Sequence, residues 1–271
     1  MKRIVKSNDL INACFRLNRH EQRLIQLALA ELDSREKYST SHEFVVTLKQ
    51  YADAHDGVRS NVRLWETLKD NAHQLFDRTV TMYPKPGRTH HVRWLSERAV
   101  IDGPEKRIKL VFSQRMMQHI TELKGAFTTY DAAQVADFKS VYSARVFEWV
   151  NQYKHKNERE MLVSDIREQL ELGDRLKQFA HFRMRVIETA CKEISEKTDI
   201  KLKYEAIKVG KTVQSIRFKW KKKPYKLEQQ GPKGKPTANN PAKVDYGKRA
   251  DSKRAAQGIQ SIRNIIGGMH G

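Results

Sequence analysis

The sequence predicts an α+β fold in which one order of elements is built twice: amphipathic helices, then an antiparallel hairpin. Two observations carry the prediction. From about Gln178 to Glu196, Phe179, Phe182, Val186, Ala190 and Ile194 recur at helical spacing, and Gln178, His181, Arg185 and Lys192 fall on the opposite face. Two β-rich runs follow, Ile200–Ile207 and Thr212–Trp220, joined through Val209-Gly210-Lys211. Three helices and a hairpin make the order of a winged helix-turn-helix, whose third helix enters the DNA major groove while the hairpin grips the flank. A looser version of that order runs through the first half. The expected architecture is two tandem winged-helix domains, 1–137 and 138–223, and a basic, disordered tail, 224–271.

In the first half, Asn8 to Phe15 can form a short helix. Asn18 and Glu21 have capping-box spacing, and Leu24, Ile25, Ala28, Leu29 and Leu32 make a buried stripe behind them. Glu43 to Leu48 has strand composition, and Gln50 to Asp56 leads to a turn at Gly57. A helix from about Asn61 to Phe76 should turn Val62, Trp65, Leu68, Ala72, Leu75 and Phe76 inward. Thr79–Tyr83, a Pro84-Lys85-Pro86-Gly87 turn, His91–Leu95, Ala99–Ile101, an Asp102-Gly103-Pro104 turn and Ile108–Phe112 then read as one small antiparallel sheet. Gln114 to Leu123 reads as helix, and 127–137 as a connection.

The second unit starts near Ser140, with Tyr142, Val146, Trp149, Val150 and Tyr153 on one helix that stops in the charged run Lys154 to Glu160. Ser164 is placed to cap a short helix holding Ile166 and Leu170, and Leu172-Gly173-Asp174 is the turn before the Gln178 helix. Beyond Lys223 the composition shifts to Lys, Gly, Pro, Gln, Asn and Ala, with little to bury. Residues 252–266 can form a short helix through Ala255, Ile259, Ile262 and Ile266.

Charge is the third observation. The chain carries 52 basic and 32 acidic residues, a net +20. Lys221 to Gly271 accounts for +9 of this, so the folded part is also strongly basic, at +11. Such a balance favours polyanions through counterion release and steering. Double-stranded DNA is the expected partner. A membrane is not, because no run approaches the roughly 18–20 apolar residues of a span and no basic amphipathic surface helix stands out. The basic N-terminus lacks the apolar core of a secretory signal, so a cytoplasmic protein is expected. Cys14 and Cys191, far apart among apolar neighbours, read as reduced core thiols.

The candidate DNA contacts follow from side-chain chemistry. Arg185 and Gln178 can make bidentate contacts to guanine and adenine edges. His181 can serve base or phosphate, and Lys192 lies further along that face. Arg175 and Lys177, ahead of the helix, suit phosphates, as do the free N–H groups of its first turn. Arg183 falls near the apolar arc, so it either escapes at the helix end or pairs with a carboxylate. On the hairpin, Lys208, Lys211, Arg217 and Lys219 alternate with apolar residues and present cations on one face. Arg88, His90 and Arg93 are further candidates on the first unit's hairpin.

Catalytic chemistry is not expected. Gly210-Lys211-Thr212 suggests a phosphate loop, but Glu205 stands where its first glycine belongs and a strand pattern follows. His90-His91 is the only close histidine pair, without a second ligand cluster at metal spacing. No histidine-hydrophobic-histidine motif accompanies the tyrosines, which disfavours a strand-nicking relaxase. No metal or cofactor is called for, and the chain reads as a noncatalytic binder.

Asn8-Asp9-Leu10, Leu17-Asn18, Glu21-Gln22-Arg23-Leu24-Ile25, Phe127-Thr128-Thr129-Tyr130, Ser143-Ala144-Arg145-Val146-Phe147-Glu148, Phe182-Arg183-Met184-Arg185-Val186-Ile187, Glu193-Ile194, Thr198-Asp199-Ile200, Gly210-Lys211 and Ile216-Arg217-Phe218 occur in that order. In this the chain resembles the plasmid replication initiator (Rep) proteins that bind iterons, the direct repeats of a plasmid origin. The resemblance covers about Asn8 to Lys219. It implies that the second domain's third helix, here Lys177 to Arg185, reads half of each repeat. His181 stands where a lysine or arginine is expected. The first domain would contact the rest of the repeat and make a dimer interface. Monomers on iterons would recruit the host initiator and replicative helicase, and dimers on an inverted repeat would repress the protein's own gene. Two readers one helical turn apart cover roughly 20 base pairs. The alternative expectation is a dedicated transcriptional repressor on an inverted repeat.

Overall fold

The computed structural model describes residues 2–223 apart from residues 56–58, 86, 122 and 124; the expected tail and its helix at 252–266 lie outside the described residues. The first half runs β1 (Arg3–Ser7), α1 (Asn8–Asn12), α2 (Arg19–Ala30), β2 (Phe44–Thr47), α3 (Leu48–Asp53), α4 (Val62–Asp77), β3 (Thr79–Lys85), β4 (Arg88–Arg93), β5 (Leu95–Asp102) and β6 (Lys106–Phe112). Then come α5 (Gln114–Met117), β7 (Phe127–Asp131), α6 (Ala133–Ala136) and α7 (Val141–Gln152). The second half continues with β8 (Glu158–Leu162), α8 (Val163–Gln169), α9 (Phe179–Phe182), a π-helical turn (Arg183–Glu188), α10 (Thr189–Lys197), β9 (Ile200–Val209) and β10 (Thr212–Lys222).

Two three-stranded sheets share one topology, β2-β6-β5 and β8-β10-β9. In each, a helix precedes the first strand, two helical elements follow it, and the closing hairpin folds back so that its second strand lies in the middle. The structure is a tandem pair of winged helices in the α+β class. The duplication is therefore one of topology.

Local chemistry sets the element ends. Asn18 Oδ1 accepts from the Glu21 backbone N–H at 3.0 Å while Glu21 Oε2 accepts from Asn18 N–H at 2.6 Å, closing the capping box of α2. Asn61 caps α4 by accepting from Leu64 N–H at 2.8 Å. Gly210, at φ +63°, supplies the left-handed residue of the tight β9–β10 turn.

Several sequence expectations are corrected. The charged run Lys154 to Glu160 contains the start of β8, whose Glu160 lies opposite Arg217 of β10. The preceding helix does stop there, at Gln152, but Arg159 and Glu160 find their partners on other elements, so the run also holds a strand. The β3–β4 hairpin forms a two-stranded sheet of its own, inserted between α4 and the β5–β6 wing. The segment 127–137 is partly strand, pairing with β1 from Arg3↔Asp131 to Ser7↔Phe127. Ser164 does not cap α8; its hydroxyl donates to Asp165 from inside the helix, and Leu162 occupies the cap position with no side-chain bond. Val62, the first residue of α4, lies beyond the core and is exposed. The α5 helix stops at Met117.

α7 joins the halves. Eight consecutive residues, Ser143 to Val150, are buried, so the helix is enclosed on every side. It packs on α1 and β7 of the first unit and on α10 and the π turn of the second. Arg145 donates to Glu148 at 3.1 Å and to the carbonyl of Ala13 at 2.8 Å, with its guanidinium 4.0 Å from the centre of the Phe15 ring. Glu148 also accepts from Lys6 at 2.6 Å and from the Tyr130 hydroxyl at 2.7 Å. Burial pushes the Glu148 carboxyl up, but the Lys6 and Arg145 charges and the Lys6 and Tyr130 hydrogen bonds outweigh it and hold the group below the ordinary glutamate value.

Candidate nucleic-acid interface

The turn before α9 departs from ordinary backbone geometry, with Glu171, Gly173 and Leu176 all at positive φ. One side chain organises it. The Arg167 guanidinium donates to the carbonyls of Leu176, Gly173 and Arg175 at 2.8, 2.9 and 2.9 Å. Three charge-assisted bonds to one side chain offset the left-handed residues and aim α9. Arg175 is drawn into the same turn, donating back to the carbonyl of Glu171. Lys177 pairs with Asp174 at 2.9 Å where both are exposed, so solvent competes for the contact.

From Lys177 onward one face is polar and open. Lys177, Gln178, His181, Arg183, Met184, Arg185 and Lys192 are exposed, while Phe182, Val186, Ile187, Ala190, Cys191 and Ile194 are buried. The π turn explains the pattern. It adds a residue to one turn, leaving Arg183, Met184 and Arg185 exposed in succession between buried Phe182 and the buried pair Val186 and Ile187. The Thr189 hydroxyl donates to the carbonyl of Met184 at 2.9 Å, five residues back, and satisfies an acceptor the widened turn would strain.

The same insertion resolves Arg183. It is exposed and its Nε lies 3.2 Å from Glu188 Oε1, which also accepts from the Tyr204 hydroxyl at 2.9 Å. Arg185 makes no ion pair or hydrogen bond among the described residues. It is therefore the uncommitted guanidinium of this face.

The wing divides into two regions. Towards the middle of the sheet, Arg217 sits 2.7 Å from Glu160, and Lys219 sits 2.8 Å from Glu205. The Lys219 hydrogen bond holds the Glu205 carboxyl below its ordinary value, and bonds from Ser215 and Arg217 do the same for Glu160. These two cations already have partners. At the tip, Lys208 and Lys211 flank the turn and are exposed. At the base, the register places Lys203 opposite Lys219 and Lys201 opposite Lys221. Like charges set opposite one another repel, and Glu205 already relieves this at Lys219. Lys201, Lys203 and Lys221 escaped the sequence reading, although the alternation of Lys201 and Lys203 around Leu202 was a usable signal. Arg167 escaped because its role appears only when the turn closes.

The first unit's residues lie elsewhere. Arg88 is exposed on β4. Arg93, 3.8 Å from Asp77 and 5.6 Å from the centre of the Phe76 ring, lies against the end of α4. His90 is half-buried. α4 occupies the position that α9 and α10 hold in the second unit, but its exposed residues include Glu66, Asp70 and Asp77 beside Arg63 and His73. That face lacks the uniform positive charge of the Lys177–Arg185 surface.

Among the described residues no helix is long and apolar enough to cross a membrane, and no group of three His, Cys, Asp or Glu side chains could hold a metal ion.

The sequence pattern of the family described as "Initiator Replication protein, WH1" matches residues 3–151, and that of "Initiator Rep protein, WH2" matches residues 162–220. The chain belongs to the replication initiator family. The first pattern takes in α7, the helix shared by both units. A replication initiation protein of Escherichia coli is 24% identical over 206 residues, covering 73% of this chain. This chain spans only 64% of that relative's length. An uncharacterized 27.6 kDa protein of Escherichia coli is 23% identical over 235 residues, covering 79% of this chain and 93% of its own length. Among solved structures, the Pi initiator protein, crystallised in complex with iteron DNA, matches at TM-score 0.67 and 18% identity. That match covers 81% of this initiator-family chain and 96% of the other. At that identity it shows a shared fold.

Proposed function

We propose that this protein initiates plasmid replication by binding direct repeats at an origin, with the second winged helix as its principal reader. The carrying observation is the exposed surface from Lys177 to Arg185, where Gln178, His181 and an unpaired Arg185 lie on one helix beside the lysine-tipped wing. Arg185 and Gln178 suit base edges. Lys177, Lys192, Lys208, Lys211 and the wing-base lysines suit phosphates. Arg175, Arg183, Arg217 and Lys219 serve mainly to shape the surface, since each already has a protein partner. The first unit supplies auxiliary contacts through Arg88 and Arg93 and the interface for self-association.

The mechanism is assembly without a covalent step. Monomers gather on repeats, strain adjacent A·T-rich duplex and recruit the host initiator and replicative helicase in the bacterial cytoplasm. A dimer on an inverted repeat represses the gene. The family membership and the likeness to an initiator solved on iteron DNA support this reading. Footprinting on the DNA flanking the gene tests it. Protection of short direct repeats is expected; protection of one palindrome alone would make the protein a dedicated repressor.

A further inference from the structure

The reading surface of the second unit holds two residues that do not suit phosphate. Ala180 and Met184 are exposed among Lys177, Gln178, His181, Arg183 and Arg185, four positions apart and so neighbours along the helix. Met184 is 50% exposed. Among the described residues it is the one large apolar side chain open to solvent between Lys177 and Lys192. Neither side chain can donate a hydrogen bond, and the Met184 sulfur is a weak acceptor at best. Neither therefore serves a phosphate oxygen or the acceptor atoms of a base edge.

A single exposed apolar residue ordinarily needs no explanation. Here three local features present this one. The π turn supplies the extra residue that leaves Met184 open between two arginines. The Thr189 hydroxyl, donating to the Met184 carbonyl at 2.9 Å, pins its backbone. Arg183 is drawn to Glu188 at 3.2 Å while Arg185 stays uncommitted, so the apolar side chain adjoins the one guanidinium free to meet a base.

The major-groove edges of the base pairs carry polar atoms and one apolar group, the C5 methyl of thymine. Covering that methyl with a half-exposed thioether takes apolar surface of both out of water. The unbranched, flexible methionine side chain adapts readily to such a contact. We infer that Met184, flanked by Ala180, reads the C5 methyl of a thymine beside the base pair that Arg185 contacts, an assignment that rests on the major-groove docking of this helix proposed above. The run Arg183–Arg185 then divides its roles: a braced guanidinium, an apolar reader and a free guanidinium. Met184 sets sequence preference without a hydrogen bond.

The test uses the full chain and the duplex it protects in footprinting, whether direct repeat or palindrome. Each thymine of that duplex is replaced in turn by deoxyuridine, which lacks the methyl but keeps the pairing and the O4 acceptor. Electrophoretic titration should find a thymine whose replacement weakens binding roughly fourfold, about what one buried methyl contributes. Met184→Gln, which keeps chain length and helix propensity, should bind the unmodified duplex more weakly and be indifferent to that uracil. Met184→Leu, which stays apolar, should keep the sensitivity. Thermal melts check the folding of both variants, and the uracil scan on wild type alone can already refute the inference. A uracil effect undiminished in Met184→Gln would assign the methyl to DNA shape or another side chain and overturn it. Specific binding in which no thymine is sensitive would overturn it too, while leaving origin binding standing. Protection of a palindrome alone would end the initiator reading, and the same scan on that palindrome would still decide this one. Absence of any sequence-specific protection would overturn both.

Discussion

Lys6 on β1 donates to Glu148 on α7 at 2.6 Å, and both side chains are almost wholly out of water. The two residues belong to different parts of the chain, and the bond is one of the ties between the first unit and the helix that opens the second. A buried pair is weak evidence of net stabilisation, but removing the member that the others depend on leaves uncompensated charge. Lys6→Met leaves Glu148 with Arg145 and the Tyr130 hydroxyl, whereas Glu148→Met strands both Lys6 and Arg145. Glu148→Met should therefore cost about 3 kcal/mol or more in urea unfolding at pH 7, and Lys6→Met distinctly less. Equal losses would show that Arg145 does not compensate Glu148.

The pH dependence of stability has two arms. His55 titrates at about 4 in the folded protein against 6.5 when exposed, because burial disfavours its charged form. The unfolded chain therefore takes up the proton first. Stability should fall as pH drops from about 6.5 towards about 4, by at most about 3 kcal/mol from this residue, and His55→Phe should flatten that arm. Glu148, whose folded value lies below its ordinary 4.5, contributes fully above that value and loses its contribution as pH falls through the folded one. Denaturant melts from pH 8 to pH 3 on wild type and His55→Phe would separate the two.

Arg185 and Arg183 differ by two positions and should differ in effect. Arg185→Ala should cost about 1–3 kcal/mol on cognate repeat DNA and little on random DNA, as expected of a base contact. Arg183→Ala should change specificity less, because its guanidinium already faces Glu188. Electrophoretic titrations on both DNAs give the comparison. Equal losses on cognate and random DNA for Arg185→Ala would make it a phosphate contact.

Deleting Met184 should convert the π turn to regular α-helix, since such turns differ from the α form by one inserted residue. The domain should still fold, but the exposed run Arg183–Arg185 would be broken and recognition of the repeat lost. Circular dichroism and the same titrations measure both. Retained recognition would show that the widened turn does not shape the reading face.

Lys208 and Lys211 at the wing tip are expected to neutralise two phosphates. Replacing both with alanine should lower the slope of log affinity against log salt by about two and weaken all sequences alike. An unchanged slope would place the wing tip off the DNA.

What could be read from the sequence was mainly local. The Asn18–Glu21 box, the start of α4 near Asn61 and the β9–β10 turn each depend on residues close together in the chain, so spacing alone reveals them. The strand β8 was hidden because Glu158, Arg159 and Glu160 look like a solvated charge run. In the fold Arg159 turns inward to Asn12, Gln152 and the carbonyl of Trp149, while Glu160 pairs across the sheet with Arg217. Those partners come from other elements. The π turn was invisible for a different reason. A single inserted residue leaves helical periodicity nearly intact, so the misfit of Arg183 on a regular wheel was its only trace. The candidate face itself was largely legible, since Lys177, Gln178, His181 and Arg185 are all exposed. The commitment of Arg217 and Lys219 to carboxylates was not, because it depends on strand register.

The burial of α7 has a consequence for how the protein handles distance. A helix enclosed from Ser143 to Val150 by both units cannot act as a flexible tether. It works as a calliper, setting the gap between the jaws before any DNA arrives. If both jaws touch the duplex, moving their targets apart by half a helical turn would put one on the wrong side of the cylinder, with no slack in the chain to follow it. Spacing would then be read as strictly as sequence.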